Sequence, residues 1–180
     1  LSASGSQTPD GASGMQLLEA KAFREAMGLF ATGVAVVSTG RPVPTGTGVQ
    51  AMTVNSITGL SLEPLQLLFC PAKRARLAAP LQVGAHFCVN FLRQEQLALA
   101  EHFAGRGRAA ALEPQFLPLA GSMRLAGCLA SLACVVRSRF DGGDHWIVVG
   151  EVEALERGDA PHEPLVFFHG RFSGVHSPVR

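Results

Sequence analysis

Apolar positions recur along this chain with two different spacings, and those spacings predict where its helices and strands fall. Over residues 17–31 (LLEAKAFREAMGLFA), Leu18, Ala22, Phe23, Met27 and Phe30 share one face at helical spacing. This predicts a helix whose stripe packs into the core, with Gly33 as its stop. QEQLALAEHFA (94–104) reads as a second amphipathic helix, with Leu97, Ala100 and Phe103 or Ala104 together. Short apolar runs rich in β-branched residues predict strands at 34–38 (VAVVS), 65–70 (LQLLFC) and 86–92 (HFCVNFL). Longer ones follow at 128–139 (CLASLACVVRSR), 146–155 (WIVVGEVEAL) and 164–172 (PLVFFHGRF).

The connections carry turn chemistry. GRPVPTGTG (40–48) is a turn region, and FDGGD between the two longest runs is a hairpin signal. PAKRARLAAP (71–80) is a basic loop that opens into a short helix, and 105–124 is an excursion over the surface. About six strands and two or three short helices, without a βαβ rhythm, predict a mainly β fold. The strands pair antiparallel into a barrel with peripheral helices.

The length of 180 residues suits one domain with its own core. Residues 17–180 form that domain, and the Ser/Gly-rich start, residues 1–16, is a flexible tail or cloning remnant. The start has neither a basic nor an apolar leader region, and no apolar run reaches a membrane span, so a cytoplasmic protein is expected. A formal net charge of +1 implies no pull toward nucleic acid. The 47% hydrophobic content is enough to cover an oligomer interface as well as a core. Cys70, Cys88, Cys128 and Cys134 form no CxxC pair and sit among apolar neighbours, as buried free thiols do; disulfides or metal ligation are the alternatives.

Familiar catalytic signatures are missing: no GxGxxG follows a strand, and P-loop, HExxH and GxSxG motifs are absent. Six scattered histidines lack metal-ligand spacing, so no metal is expected. What stands out is AMTVNSITGLSLEP (51–64), which gathers Thr53, Asn55, Ser56, Thr58 and Ser61 in an apolar chain. In a strand, Thr53 and Asn55 share one face. Such short donor–acceptor side chains suit the polar edge of a planar ring, or else form an ordinary polar strand face.

AMTVNSITGLSLEP resembles the core motif of the flavin reductase-like family, the small reductases of two-component flavin monooxygenases. Further family features follow in order: FREAMGLFATGVAVVST (23–39), FCPAKRARL (69–77), FCVNFLRQEQLALAEHFAG (87–105), DGGDHWIVVGEVEAL (141–155) and PLVFFHGRF (164–172). The resemblance spans about residues 19–175. It implies a split β-barrel homodimer that binds FMN or FAD near the subunit boundary and takes hydride from NADH or NADPH. It also implies release of reduced flavin to an oxygenase component. Alternatives within the same fold are an electron-transfer flavoprotein that keeps its FMN, and a reductase of a metal or corrinoid acceptor.

Carried over by position, Val49, Gln50, Ala51, Met52, Thr53, Asn55 and Ser56 line the isoalloxazine and ribityl chain, largely through backbone groups. Cys70, Pro71, Ala72, Lys73 and Arg76 surround the ribityl and phosphate. His145, with Phe168, His169, Gly170 and Arg171, meets the nicotinamide, and His145 is the candidate catalytic residue. The family often has Gly where this chain has Ala51, and Ser or Thr where it has Leu77; the lost hydroxyl weakens the phosphate grip or shifts it to Arg74. On chemistry alone, Lys73, Arg74 and Arg76 are a phosphate clamp or a solvated loop, and His145 is a ligand contact or a turn cap. Asp141 and Asp144 read as turn residues.

Overall fold

The β-branched runs become strands, and every named strand pairing is antiparallel. The structure is a computed structural model in which residues 19–40, 48–106, 112–159 and 162–175 are described. In chain order these hold α1 (Ala20–Met27), β1 (Thr32–Gly33), β2 (Ala35–Gly40), β3 (Val49–Val54), β4 (Ile57–Leu62), β5 (Leu65–Phe69) and β6 (His86–Phe91). Then come α2 (Leu97–Phe103), β7 (Phe116–Leu119), β8 (Ser122–Leu125), β9 (Ala130–Gly142), β10 (His145–Arg157), β11 (Leu165–Phe168) and β12 (Arg171–Gly174). No helix among them is long and apolar enough to cross a membrane. The tail at 1–16, Leu18 and most of the 40–48 turn lie outside the described residues.

Seven strands form the main sheet in the order β3-β2-β6-β9-β10-β5-β4. Its two edge strands, β3 and β4, are consecutive in the chain and joined by Asn55 and Ser56 alone. Three Cα steps reach about 11 Å at most, whereas six flat strand spacings cover about 29 Å. The sheet must therefore curl until its edges meet at Asn55–Ser56. No ladder joins β3 to β4 among the described residues, so the result is a split, unclosed barrel. A three-stranded sheet, β1-β11-β12, and the β7–β8 hairpin flank it.

β2 is buried on both faces, which explains its unbroken apolar run. Val37 joins Phe69, Leu77, Phe87, Val89, Val136 and Val148 inside the curl. Val36 joins Leu92, Ala100, Leu125 and Leu165 on the other side. Between the strands lies a polar hub. The fully buried Asn90 donates to Val36 O (2.9 Å) and Ser38 Oγ (3.1 Å), and accepts from Leu125 N (2.8 Å) and Ser131 Oγ (2.9 Å). One side chain on β6 thus stitches β2, β8 and β9 together.

Several expectations change. The chain has twelve strands among its described residues rather than about six. The missed pairs have physical reasons. β3 and β4 are sheet edges, so they tolerate the polar side chains that hid them. The expected strand at 164–172 is a hairpin, because His169 (φ 53°) and Gly170 (φ 74°) turn it in the type I′ manner. Part of the 105–124 excursion folds inward as β7–β8, burying Ser122, Met123 and Leu125. The first helix stops at Gly28, not Gly33, and its stripe is not in the core: Phe23 is 57% and Phe30 69% exposed. Leu97 of α2 is also largely exposed, while Ala100 is buried.

Candidate functional site

The Cys70–Arg76 loop leaves β5 and is fastened at both ends. At its start, the Cys70 N–H donates to Ser56 O (3.3 Å) and Oγ (3.2 Å), and the Ser56 hydroxyl donates back to Cys70 O (3.2 Å). Beyond it, Leu77 and Ala78 are buried in a single 3-10 turn that packs near β3. The Leu77 side chain belongs to the barrel core and so anchors the loop.

Between those anchors the loop runs beside the start of β10. Trp146 N donates to Pro71 O (2.9 Å), Lys73 N donates to Asp144 O (2.9 Å), and Ala72 bridges to His145. The β9–β10 turn that meets it has two central residues, Gly143 and Asp144. Gly143 takes φ 80°, which a side chain disfavours, and Asp141 Oδ1 accepts its N–H at 3.0 Å. Fold topology thus brings Ser56, Cys70, Pro71, Ala72, Lys73 and His145 into one neighbourhood.

Its electrostatics are mixed. The Lys73 ammonium pairs with Asp141 Oδ2 at 2.5 Å and lies 4.7 Å from the Trp146 ring centre, which also carries the Arg139 guanidinium at 3.8 Å. Lys73, followed by the Gly143 N–H, holds the Asp141 carboxyl below its usual range. His145 Nδ1 is 2.7 Å from Asp144 Oδ1, and this contact holds the Asp144 carboxyl down, with Arg74 adding a smaller pull. Arg74 and Arg76 are exposed. Burial raises the Cys70 thiol, and pushes Cys128 up to about 11 and Cys134 to about 12. All four cysteines are free, and all but half-buried Cys70 are buried.

On the other side of Asn55–Ser56 lies a cleft of about 130 Å³, lined by Val34, Thr53, Val54, Asn55, Ala104, Arg106, Phe167 and Phe172. Thr53 Oγ1 donates to Ala100 O (2.6 Å), and Asn55 Nδ2 donates to Thr32 Oγ1 (3.2 Å). Thr53 and Asn55 do share a site, but Asn55 stands just beyond the strand. Val49, Gln50, Ala51 and Met52 run along β3, which pairs only with β2 among the described residues. That edge offers alternate backbone N–H and C=O groups to a ligand. Enclosing ligand pockets usually measure about 300–1,000 Å³, so one chain here supplies a wall rather than an enclosure.

The nicotinamide candidates lie on two different sheets. His145 opens β10 in the large sheet, whereas Phe168, His169, Gly170 and Arg171 form the β11–β12 turn in the small one. That turn is fixed beside α1 by the His169 N–H on Gly28 O (2.7 Å). The sequence singles out none of Arg106, Ala104, Val34, Phe167 and Phe172 as site residues. Arg106 follows α2 in an aperiodic stretch with no local signal; the two phenylalanines stack edge to face, half-buried at the cleft wall.

Comparison with known proteins bears directly on this geometry. The sequence profile described as "Flavin reductase like domain" matches residues 27–176. The chain is similar to the flavin-dependent monooxygenase reductase subunit HsaB of Rhodococcus jostii, at 37% identity over 171 residues, covering 93% of this chain and 84% of the relative. It is also similar to the NADH-dependent FMN reductase AsuE2 of Streptomyces nodosus subsp. asukaensis, at 34% identity over 161 residues, covering 87% and 85% respectively. The solved structure of flavin reductase PheA2 in its native state superposes with a TM-score of 0.80 at 32% identity, covering 89% of this chain and 100% of the other. A profile match over most of the chain, and relatives alike across nearly their full length, mean that this chain belongs to the flavin reductase like domain family.

Proposed function

We propose that this chain is an NAD(P)H-dependent flavin reductase that reduces FMN and hands it on to an oxygenase component. One observation carries the reading. Asn55 and Ser56 are consecutive, yet one lines the cleft and the other fastens the basic loop. A ligand with a planar ring at one end and a phosphate at the other spans that junction. The residues fit FMN: the β3 edge and Asn55 face the ring, Ser56 the ribityl chain, and Arg74 and Arg76 bring charge to the phosphate side.

The flavin supplies the hydride-accepting chemistry, and this chain's residues bind, orient and exclude water. The walls Phe167 and Phe172 keep the cleft apolar. His145, held through Nδ1 by Asp144, orients the reductant. The names of HsaB and AsuE2 support NADH as reductant, FMN as acceptor and an oxygenase as the recipient. Mixing the FMN-loaded protein with NADH in the absence of oxygen is expected to bleach the flavin absorbance. Persistent oxidised flavin would contradict the assignment.

The phosphate side makes its own prediction. Two charge-assisted hydrogen bonds of about 1.5–3 kcal/mol each would favour FMN over riboflavin by more than tenfold. Asp141 competes for Lys73, so the expected preference is about three- to tenfold. Fluorescence titration with both flavins measures it, and equal affinities would remove the loop from the site.

The active unit is a homodimer in this reading. Phe23, Met27, Leu29 and Phe30 expose a contiguous run of large apolar groups on and after α1, beside the 168–171 turn. Soluble monomers rarely leave such a patch uncovered, and a second copy would also wall the shallow cleft. Sedimentation at micromolar concentration is expected to give twice the chain mass, and Phe30→Asp to shift it toward monomer. A monomer mass for the unaltered protein would contradict this.

A further inference from the structure

The basic loop is not free to grip a phosphate with all of its charge. Lys73, Arg74 and Arg76 bring three cations, while the β9–β10 turn brings two carboxylates, Asp141 and Asp144, against them. The arrangement is built, not incidental. Two backbone hydrogen bonds clasp loop to turn, through Lys73 N on Asp144 O and Trp146 N on Pro71 O. The Asp141 side chain is held from behind by the Gly143 N–H, which leaves its other oxygen aimed at Lys73. The Trp146 ring beside the ammonium adds a second fixed partner.

We propose that Asp141 is a built-in competitor for the flavin phosphate. Its carboxylate occupies Lys73, so a phosphate must displace it, and this keeps FMN an exchangeable substrate rather than a resident cofactor. The inference rests on the phosphate-side reading of the loop given above and adds what sets the strength of the grip. Asp144 acts differently: its carboxylate is spent on the imidazole of His145, and it touches the loop through its backbone oxygen. A protein that must surrender reduced flavin to another gains from a site whose charge is partly answered from within.

Asp141→Asn tests this with little risk to folding. The side chain is 68% exposed at a turn, and the amide oxygen can still accept the Gly143 N–H. FMN and riboflavin dissociation constants are measured for the unaltered chain, Asp141→Asn, Lys73→Met and the double variant. The expected result is about three- to tenfold tighter FMN in Asp141→Asn. Riboflavin affinity should stay within about twofold, and the gain should vanish without Lys73. The ionic-strength dependence of FMN binding should steepen in the same variant. If the unaltered chain prefers FMN but Asp141→Asn leaves the ratio unchanged, or if the gain persists in Lys73→Met, the inference falls and the site stands. If neither flavin binds the unaltered chain, both fall.

Discussion

Replacing Asn90 with Ala is expected to remove about 3–5 kcal/mol of folding stability and about 10 °C or more of melting temperature. Asn90 is fully buried and serves four partners on three neighbouring strands. Truncation strands the Leu125 N–H and the Ser131 hydroxyl away from water, at about 1–3 kcal/mol for each group that finds no substitute, while the Ser38 hydroxyl keeps its bond to Met123 O. The loss also loosens β8, because the Leu125 N–H on Asn90 Oδ1 and the Ser38 hydroxyl on Met123 O hold the β7–β8 hairpin against the barrel. Ser131→Ala removes one partner and leaves the amide otherwise engaged, so about 1 kcal/mol is expected there. Chemical denaturation of both variants checks the ranking. An Asn90→Ala loss no larger than that of Ser131→Ala would show that the hub does not organise the core.

His145→Ala is expected to lower kcat/KM for NADH by about 5- to 150-fold, with FMN affinity within about twofold of the unaltered chain. The imidazole stands at the first residue of β10, opposite Gly142 and bridged to Ala72. Its position is set by the turn and by Asp144, not by a flexible loop. In the neutral tautomer that donates from Nδ1 to Asp144, Nε2 is an acceptor, which suits an amide N–H₂ such as that of nicotinamide. One oriented hydrogen bond of about 1–3 kcal/mol gives the stated range. If His145 only caps the turn, its loss would reduce stability and the folded fraction while kinetics per folded site stay normal. Asp144→Asn should fall between, because an amide oxygen can still accept from Nδ1. NADH kinetics and FMN titration on one preparation separate these outcomes.

The barrel's inner strands were legible because their burial is written locally. β6, β9 and β10 carry long β-branched and apolar runs, and Gly142-Gly143-Asp144 between the last two announces the turn. The edge strands were not, since exposed Thr58 and half-buried Ser61 make β4 polar enough to be disguised as loop. Helix α1 shows a subtler limit. Its apolar spacing predicts core packing, yet the helix ends before Phe30 and buries no residue, because spacing says that apolar groups can share a face and not what covers it. In the candidate site, the basic loop and the His145 turn were each visible, yet their contact depends on β5 pairing with β10. The Lys73–Asp141 pair, 68 residues apart, left no local trace at all. That His145 and Phe168–Arg171 belong to different sheets was equally hidden, because sheet membership is a property of the whole topology.

Turnover of diffusible flavin distinguishes the proposed reductase from a protein that keeps its FMN. The most direct test mixes a trace of the protein with a large excess of FMN and NADH in the absence of oxygen, and follows flavin reduction. Many flavins are expected to be reduced per chain, with the rate saturating in both NADH and FMN. Reduction of no more than one flavin per chain, with the rest of the FMN left oxidised, would contradict the reductase assignment.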